Sequence, residues 1–135
     1  MRPAIEDGAY NLLAASTALV AALGGTAIYI RDVPAGIVPP YIVLDTIRAQ
    51  DLNLCPHRMG ESLLSAQAIT TDGAAAANTL DGLCDTALHN SDPSITGWTS
   101  LHCWRQRHLA YREIAADGRE YFHAEGEYYL RVTQS

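Results

Sequence analysis

The sequence predicts an α+β fold: an antiparallel or mixed β-sheet with two α-helices packed on one face. Three observations carry this. Apolar residues recur at helical spacing in two separated stretches, one near the start of the chain and one after its midpoint. Between and after them lie runs of β-branched and aromatic residues with alternating faces. Proline and glycine clusters stop these runs, most clearly in Ile28-Tyr29-Ile30-Arg31-Asp32-Val33-Pro34-Ala35-Gly36-Ile37-Val38-Pro39-Pro40-Tyr41. A chain of 135 residues that is 48% apolar can bury a real core, so residues 1–135 are expected to form one domain.

The first helix is read from Ile5, Ala9, Leu12, Leu13, Ser16, Val20 and Leu23, stopped by Gly24-Gly25. A short strand over 26–31 and the proline-rich loop lead to a second strand over 41–50. There Tyr41, Val43, Asp45, Ile47 and Ala49 share one face and Ile42, Leu44, Thr46 and Arg48 the other, with the apolar first half buried. Residues 51–60 read as a long connection carrying Leu52, Leu54, Cys55 and Met59, apolar side chains that a solvated loop has little use for. A third strand is expected over 61–71, its small residues Ala66 and Ala68 letting a helix lie close.

That second helix spans 73–89, with Asp72 as N-cap and Ala76, Leu80, Leu83, Cys84, Ala87 and Leu88 as its apolar stripe. Asn78, Asp81 and Asp85 are expected to face water. Asn90-Ser91-Asp92-Pro93 ends it. The last third reads as a meander: a strand over 95–107, a second over 109–115, a tight turn at Ala116-Asp117-Gly118, and a final strand over 119–133 with a bulge or break at Gly126.

Composition excludes several function classes. Nine basic residues, all arginine, stand against 15 acidic ones for a formal charge of -6, far from the basic face a tight nucleic-acid binder needs. Cys55, Cys84 and Cys103 are odd in number and far apart, which argues against a disulfide framework and fits a reducing compartment. The N-terminal Ala/Leu run is interrupted by Glu6, Asp7 and Asn11, so it reads as an amphipathic helix and no membrane segment is expected.

No local signature of catalysis occurs. Cys55 with His57, or His102 with Cys103, lacks the paired spacing of a closed metal site, and neither a nucleophile elbow nor a phosphate loop is present. No catalytic residue, cofactor or metal is therefore expected. Trp98 and Trp104 lie an even number of residues apart, so in a regular strand they share a face. Either they cover the helix layer or, with Arg105 and Arg107 alongside, they form a subunit contact. Glu113, Asp117, Glu120, Glu125 and Glu127 cluster in the last strands, where a solvated face is the simplest reading.

The layout resembles a known family. The Ala/Leu helix ending near a glycine, Ala27-Ile28-Tyr29, Val33-Pro34-Ala35-Gly36 and Val38-Pro39-Pro40-Tyr41-Ile42-Val43-Leu44 are similar to the tail terminator proteins (tail completion, head-tail joining) of long-tailed bacteriophages and phage-derived gene transfer agents. Ser65-Ala66-Gln67-Ala68, Asp72-Gly73, the helix bearing Asn78-Thr79-Leu80 and the strand with Tyr128-Tyr129-Leu130-Arg131-Val132 resemble that family's second half.

The resemblance implies a non-enzymatic structural protein of a virion or virus-like particle. It would form a ring, of six subunits, that terminates the tail tube and joins it to the head-side connector. The implied partners are further copies of itself, the major tail tube protein, a connector or stopper protein, and double-stranded DNA sliding through without specific binding. A lysine-free, acidic surface suits such a channel, because phosphate-binding groups would hold the DNA back, and some carboxylates are expected to face the lumen. Leu52, Leu54, His57, Arg58 and Met59 of the central connection are the expected inter-subunit or tube-facing arm, with Arg105 and Arg107 as further contact residues. The alternatives are another neck ring such as a stopper, a small Cys/His enzyme, or a monomeric binding module.

Overall fold

A computed structural model describes residues 1–53 and 58–134, with Asn53 described by its backbone alone. Two helices, α1 (Arg2–Ala14) and α2 (Thr17–Leu23), precede the strands β1 (Ile28–Ile30), β2 (Tyr41–Asn53) and β3 (Arg58–Thr70). Helix α3 (Ala74–Leu88) follows, and β4 (Trp98–Ile114) and β5 (Glu120–Gln134) complete the chain. The strands form one sheet in the order β1-β2-β3-β5-β4. β1 runs parallel to β2, and every other neighbouring pair is antiparallel. The α+β class with a mixed sheet is as expected; among the described residues the helices number three rather than two.

The extra helix arises at Ser16. Its backbone is extended and its hydroxyl accepts from the Leu19 N–H, so it caps a new helix where a single one is predicted. Gly24 then ends α2 at φ 75°, a conformation glycine takes without strain. Ile5, Ala9 and Leu13 of α1, Leu19 and Leu23 of α2, and Leu80, Cys84 and Leu88 of α3 form one buried layer. That layer packs on Ile42, Leu44, Leu64, Ala66, Ala68, Tyr128, Leu130 and Val132. Among the described residues the opposite sheet face carries no helix.

Several predicted boundaries shift, each for a visible reason. The long connection after the second strand is mostly hairpin, because Asp51↔Gly60, Leu52↔Met59 and Asn53↔Arg58 are ladder pairs. Leu54 and His57 lie outside the described residues. The two predicted strands over 95–107 and 109–115 are one, β4, which absorbs register shifts between Ser100 and His102 and between Arg105 and Arg107. The first shift puts Trp98 against the core beneath the helices and Trp104 on the open face beside Tyr129, so they do not share a side. A similar shift at Ile47 ends the predicted alternation in β2.

Gly126 stays in register between Ala66 and His108, and is no bulge. A Cβ there would lie 2.9 Å from the Tyr128 ring, which leans over the glycine and is fully buried. Gly73 rather than Asp72 precedes α3 as its N-cap, without a side-chain cap. Asp81, expected to face water, is buried, because the sheet extends past α3 and brings Arg105 against it.

Candidate assembly surfaces

Each margin of the sheet is part covered and part bare. Along β2, the Ile42 N–H donates to the Ala27 carbonyl and the Leu44 carbonyl accepts from the Arg31 N–H. The next outward group, the Thr46 N–H, donates to the carboxylate of Glu6 at 3.1 Å. Glu6 is 1% exposed and is also bound by Arg31, whose Nε lies 3.1 Å away, with Arg2 Nε at 3.8 Å. Beyond this cap Ile47, Arg48, Ala49, Gln50 and Asp51 are all exposed. Arg48 makes no hydrogen bond or salt bridge among the described residues.

The β4 margin repeats the pattern. The Asn90 N–H donates to the Cys103 carbonyl at 2.8 Å, and the Arg105 N–H donates to His89 Nδ1 at 2.9 Å, so the chain leaving α3 covers this part of the edge. Past it, residues 106–114 are exposed except for the half-buried Leu109. Ile47 and Ile114, one on each margin, are 50% and 61% exposed. Bare strand edges offer unpaired backbone groups to another chain, and natural proteins do not leave them so without cause.

The open face is polar, and the cross-strand register brings its carboxylates together. Val43, Gln67, Glu125 and Leu109 form one row, and Asp45, Ser65, Glu127 and Arg107 the next. Ser65 donates to Glu125 at 2.5 Å, and Arg107 lies 4.0 Å from Glu127. Glu61 accepts from the Tyr129 hydroxyl, and chiefly for that reason its carboxyl is held below the usual range.

His123 stacks on Tyr111 with ring centroids 4.4 Å apart. Its Nδ1 lies 2.9 Å from the Gln67 amide nitrogen, which makes Nδ1 the acceptor and Nε2 the protonated atom, 3.6 Å from Glu113. Burial pushes this imidazole below its ordinary value, against the opposing pull of Glu113 and Glu125.

The candidate contact residues fall into distinct places. Leu52 and Met59 face each other across the β2–β3 hairpin, and Arg58 pairs with Asp51 at 3.0 Å. Arg107 is on the open face. Arg105 is not: it reaches the helix side, where it binds Asp81 and lies 3.6 Å from Asp85, while Tyr128 donates to Asp85 at 3.3 Å and His108 sits 3.1 Å from Asp81. This network clamps α3 to β4. Only the polarity of Asp81 beside an apolar stripe hinted at it.

Cys84 and Cys103 are buried, and burial pushes the Cys84 thiol up to about 12, so neither is an activated nucleophile. Among the described residues no three His, Cys, Asp or Glu side chains are grouped to hold a metal. A depression of about 350 Å³ between the proline-rich loop and the β4–β5 turn is lined by Val38, Pro39, Thr71, Arg119, Glu120, Tyr121 and Phe122, with no nucleophile–base pair. No helix of the described residues is long and apolar enough to cross a membrane.

What this surface presents to other molecules is strand margin and charged sheet face, the attributes of a protein that assembles with others. The family model for tail completion protein gp17 matches residues 9–127, and the chain belongs to that family. Comparison with curated proteins finds no match. Among solved structures, a chain from the virion of a native gene transfer agent particle is similar, with a TM-score of 0.80 and 20% identity, covering 95% of this chain and 93% of that one. At that identity the likeness establishes a shared fold.

Proposed function

We propose that this chain is the ring-forming subunit that closes the tail tube of a phage-type or gene transfer agent particle and joins it to the head-side connector, with DNA passing through its centre. The protein acts mechanically and turns over no substrate. Six subunits is the number the family resemblance implies. The observation that carries the reading is the pair of bare edges on opposite margins of one sheet. A subunit with two different exposed margins satisfies both with a single kind of contact when one margin meets the other head-to-tail, and such a contact closes into a ring when the rotation fits.

The open face, where Asp45, Glu61, Glu113, Glu125 and Glu127 outnumber Arg48, Arg107 and Arg131, lines the channel in this reading. Carboxylates repel the phosphate backbone and leave it free to slide. Leu52, Met59 and Arg58 at the described base of the β2–β3 hairpin meet the tail tube in this reading. The test is the mass of the purified chain, alone and with open-ended tail tubes, followed by negative-stain imaging. Rings, free or seated on tube ends, are the expected result. A lone subunit that ignores tube ends would overturn the proposal, as would a ring whose channel is lined by arginine.

A further inference from the structure

We propose that neighbouring subunits are joined by continuation of the β-sheet: residues 108–114 of β4 in one copy pair antiparallel with residues 47–53 of β2 in the next. The inference rests on the ring reading above and names the surface that makes the ring.

Direction comes first. β4 is antiparallel to β5, β5 to β3, and β3 to β2, so within one subunit β4 and β2 run in opposite directions. Rotation about a ring axis along the strands preserves this sense. The β4 of one copy therefore meets the β2 of the next as an antiparallel neighbour, with no inversion of the subunit.

Register follows from which groups point outward. In β4 the Arg105 N–H points outward to His89, and the extra residue at Gln106 then shifts the alternation, so positions 108, 110, 112 and 114 point outward. The Ala115 N–H, turned inward to Arg119, agrees. In β2 the Thr46 N–H points outward to Glu6, and the shift at Ile47 makes 49, 51 and 53 outward.

Antiparallel pairing must match outward positions with outward positions and keep each sheet face continuous. Placing Ala49 opposite Arg112 does both. It also sets Arg48 across from Glu113 and Leu52 across from Leu109, with Ile114 beside Ile47. A slip of two residues either way, the smallest that keeps the faces, loses both the Arg48–Glu113 and the leucine pairing.

The ends coincide as well. β4 stops at Ile114, opposite the place where the Glu6 cap on Thr46 closes the β2 edge. Pairing β4 with its own copy about a twofold axis would leave the β2 edge uncovered. Six copies, each giving four strands at about 4.8 Å spacing and about 40° tilt, form a wall about 48 Å across, which leaves room for a double helix inside the side chains.

The test uses the full chain with Cys55→Ser, since Cys84 and Cys103 are buried. In that background Arg48→Cys with Glu113→Cys is oxidised, alone and with tail tubes, and run without reductant. A ladder of covalent multimers ending at the closed ring is expected, with no ladder from either single variant.

Charge reversal at Arg48→Glu or Glu113→Arg should raise the concentration needed for assembly about tenfold, a lost attraction plus a gained repulsion, and the double reversal should restore it. Ala110→Pro removes an outward N–H that the subunit itself does not use, so it should keep the fold and abolish assembly. Rings by mass without the ladder would overturn the edge pairing and leave the ring reading standing. A ladder that stops at two copies would also overturn it, pointing to β4 against itself. A chain that stays monomeric by mass and gives no ladder, even with tube ends present, removes both.

Discussion

Glu6 is the residue whose loss is most informative about how the β2 margin is built. Its carboxylate is 1% exposed and holds the Thr46 N–H at 3.1 Å together with the guanidinium of Arg31. Glu6→Ala removes the acceptor of that N–H in a residue that is 4% exposed. The orphaned donor costs about 1–3 kcal/mol, and the small cavity adds about 1 kcal/mol, for a total of about 2–4 kcal/mol. In a domain of this length that lowers Tm by about 10 °C.

Glu6→Gln keeps an acceptor for Thr46 and gives up only pairing with guanidinium groups that reach water. Its cost should be less than half that of Glu6→Ala. Urea unfolding followed by the fluorescence of Trp98 and Trp104 measures both. Equal costs for Ala and Gln would refute the idea that capping the strand edge is what the carboxylate does. A loss below 0.5 kcal/mol, the scale of an ordinary surface substitution, would refute it more simply.

Other expectations follow from the same geometry. His123 is held below its ordinary value of 6.5, so in the window from there down to its depressed value the unfolded chain binds more protons than the folded one, and stability falls as pH falls. Above that window His123 contributes no slope, and His123→Gln should remove the slope within it, as read by unfolding at several pH values. Gly126→Ala puts a methyl 2.9 Å from the Tyr128 ring and should cost about 1–3 kcal/mol by urea unfolding, with near-UV circular dichroism reporting the displaced ring. Met59→Ser at the hairpin should cost only about 1 kcal/mol by urea unfolding, since the side chain is half-buried, while lowering attachment to tube ends in a pelleting assay.

Much of the fold was legible because it depends on local pattern. Leu80, Cys84 and Leu88 of the α3 stripe, the buried face of the first half of β2 and the stop at Gly24 are set by neighbours in sequence, and each lies where periodicity placed it, while Ala77 and Asp81 of α3 are buried outside the expected stripe. What periodicity could not show were the extra residues at Ile47, Leu101 and Gln106. A bulge leaves composition unchanged but turns every later side chain over, which is why Trp98 and Trp104 part company. The break at Ser16 was visible only as a cap residue inside a helical run.

The assembly surfaces were less legible still. Asp81 looked like a solvated helix residue because its partner Arg105 is far away in sequence. The bare edges are a property of strand order, and strand order is decided by tertiary packing. The resemblance to tail terminators supplied the family, and the family match over residues 9–127 supports it independently of any single motif.

The most direct measurement of what this chain does is electron microscopy of particles made without it, beside particles made with it. Tails of irregular length, or complete tails and filled heads left unjoined, are the expected result, with recovery of normal particles when the chain is added back. Particles of normal length, joined to their heads and still delivering DNA in its absence, would contradict the proposed function.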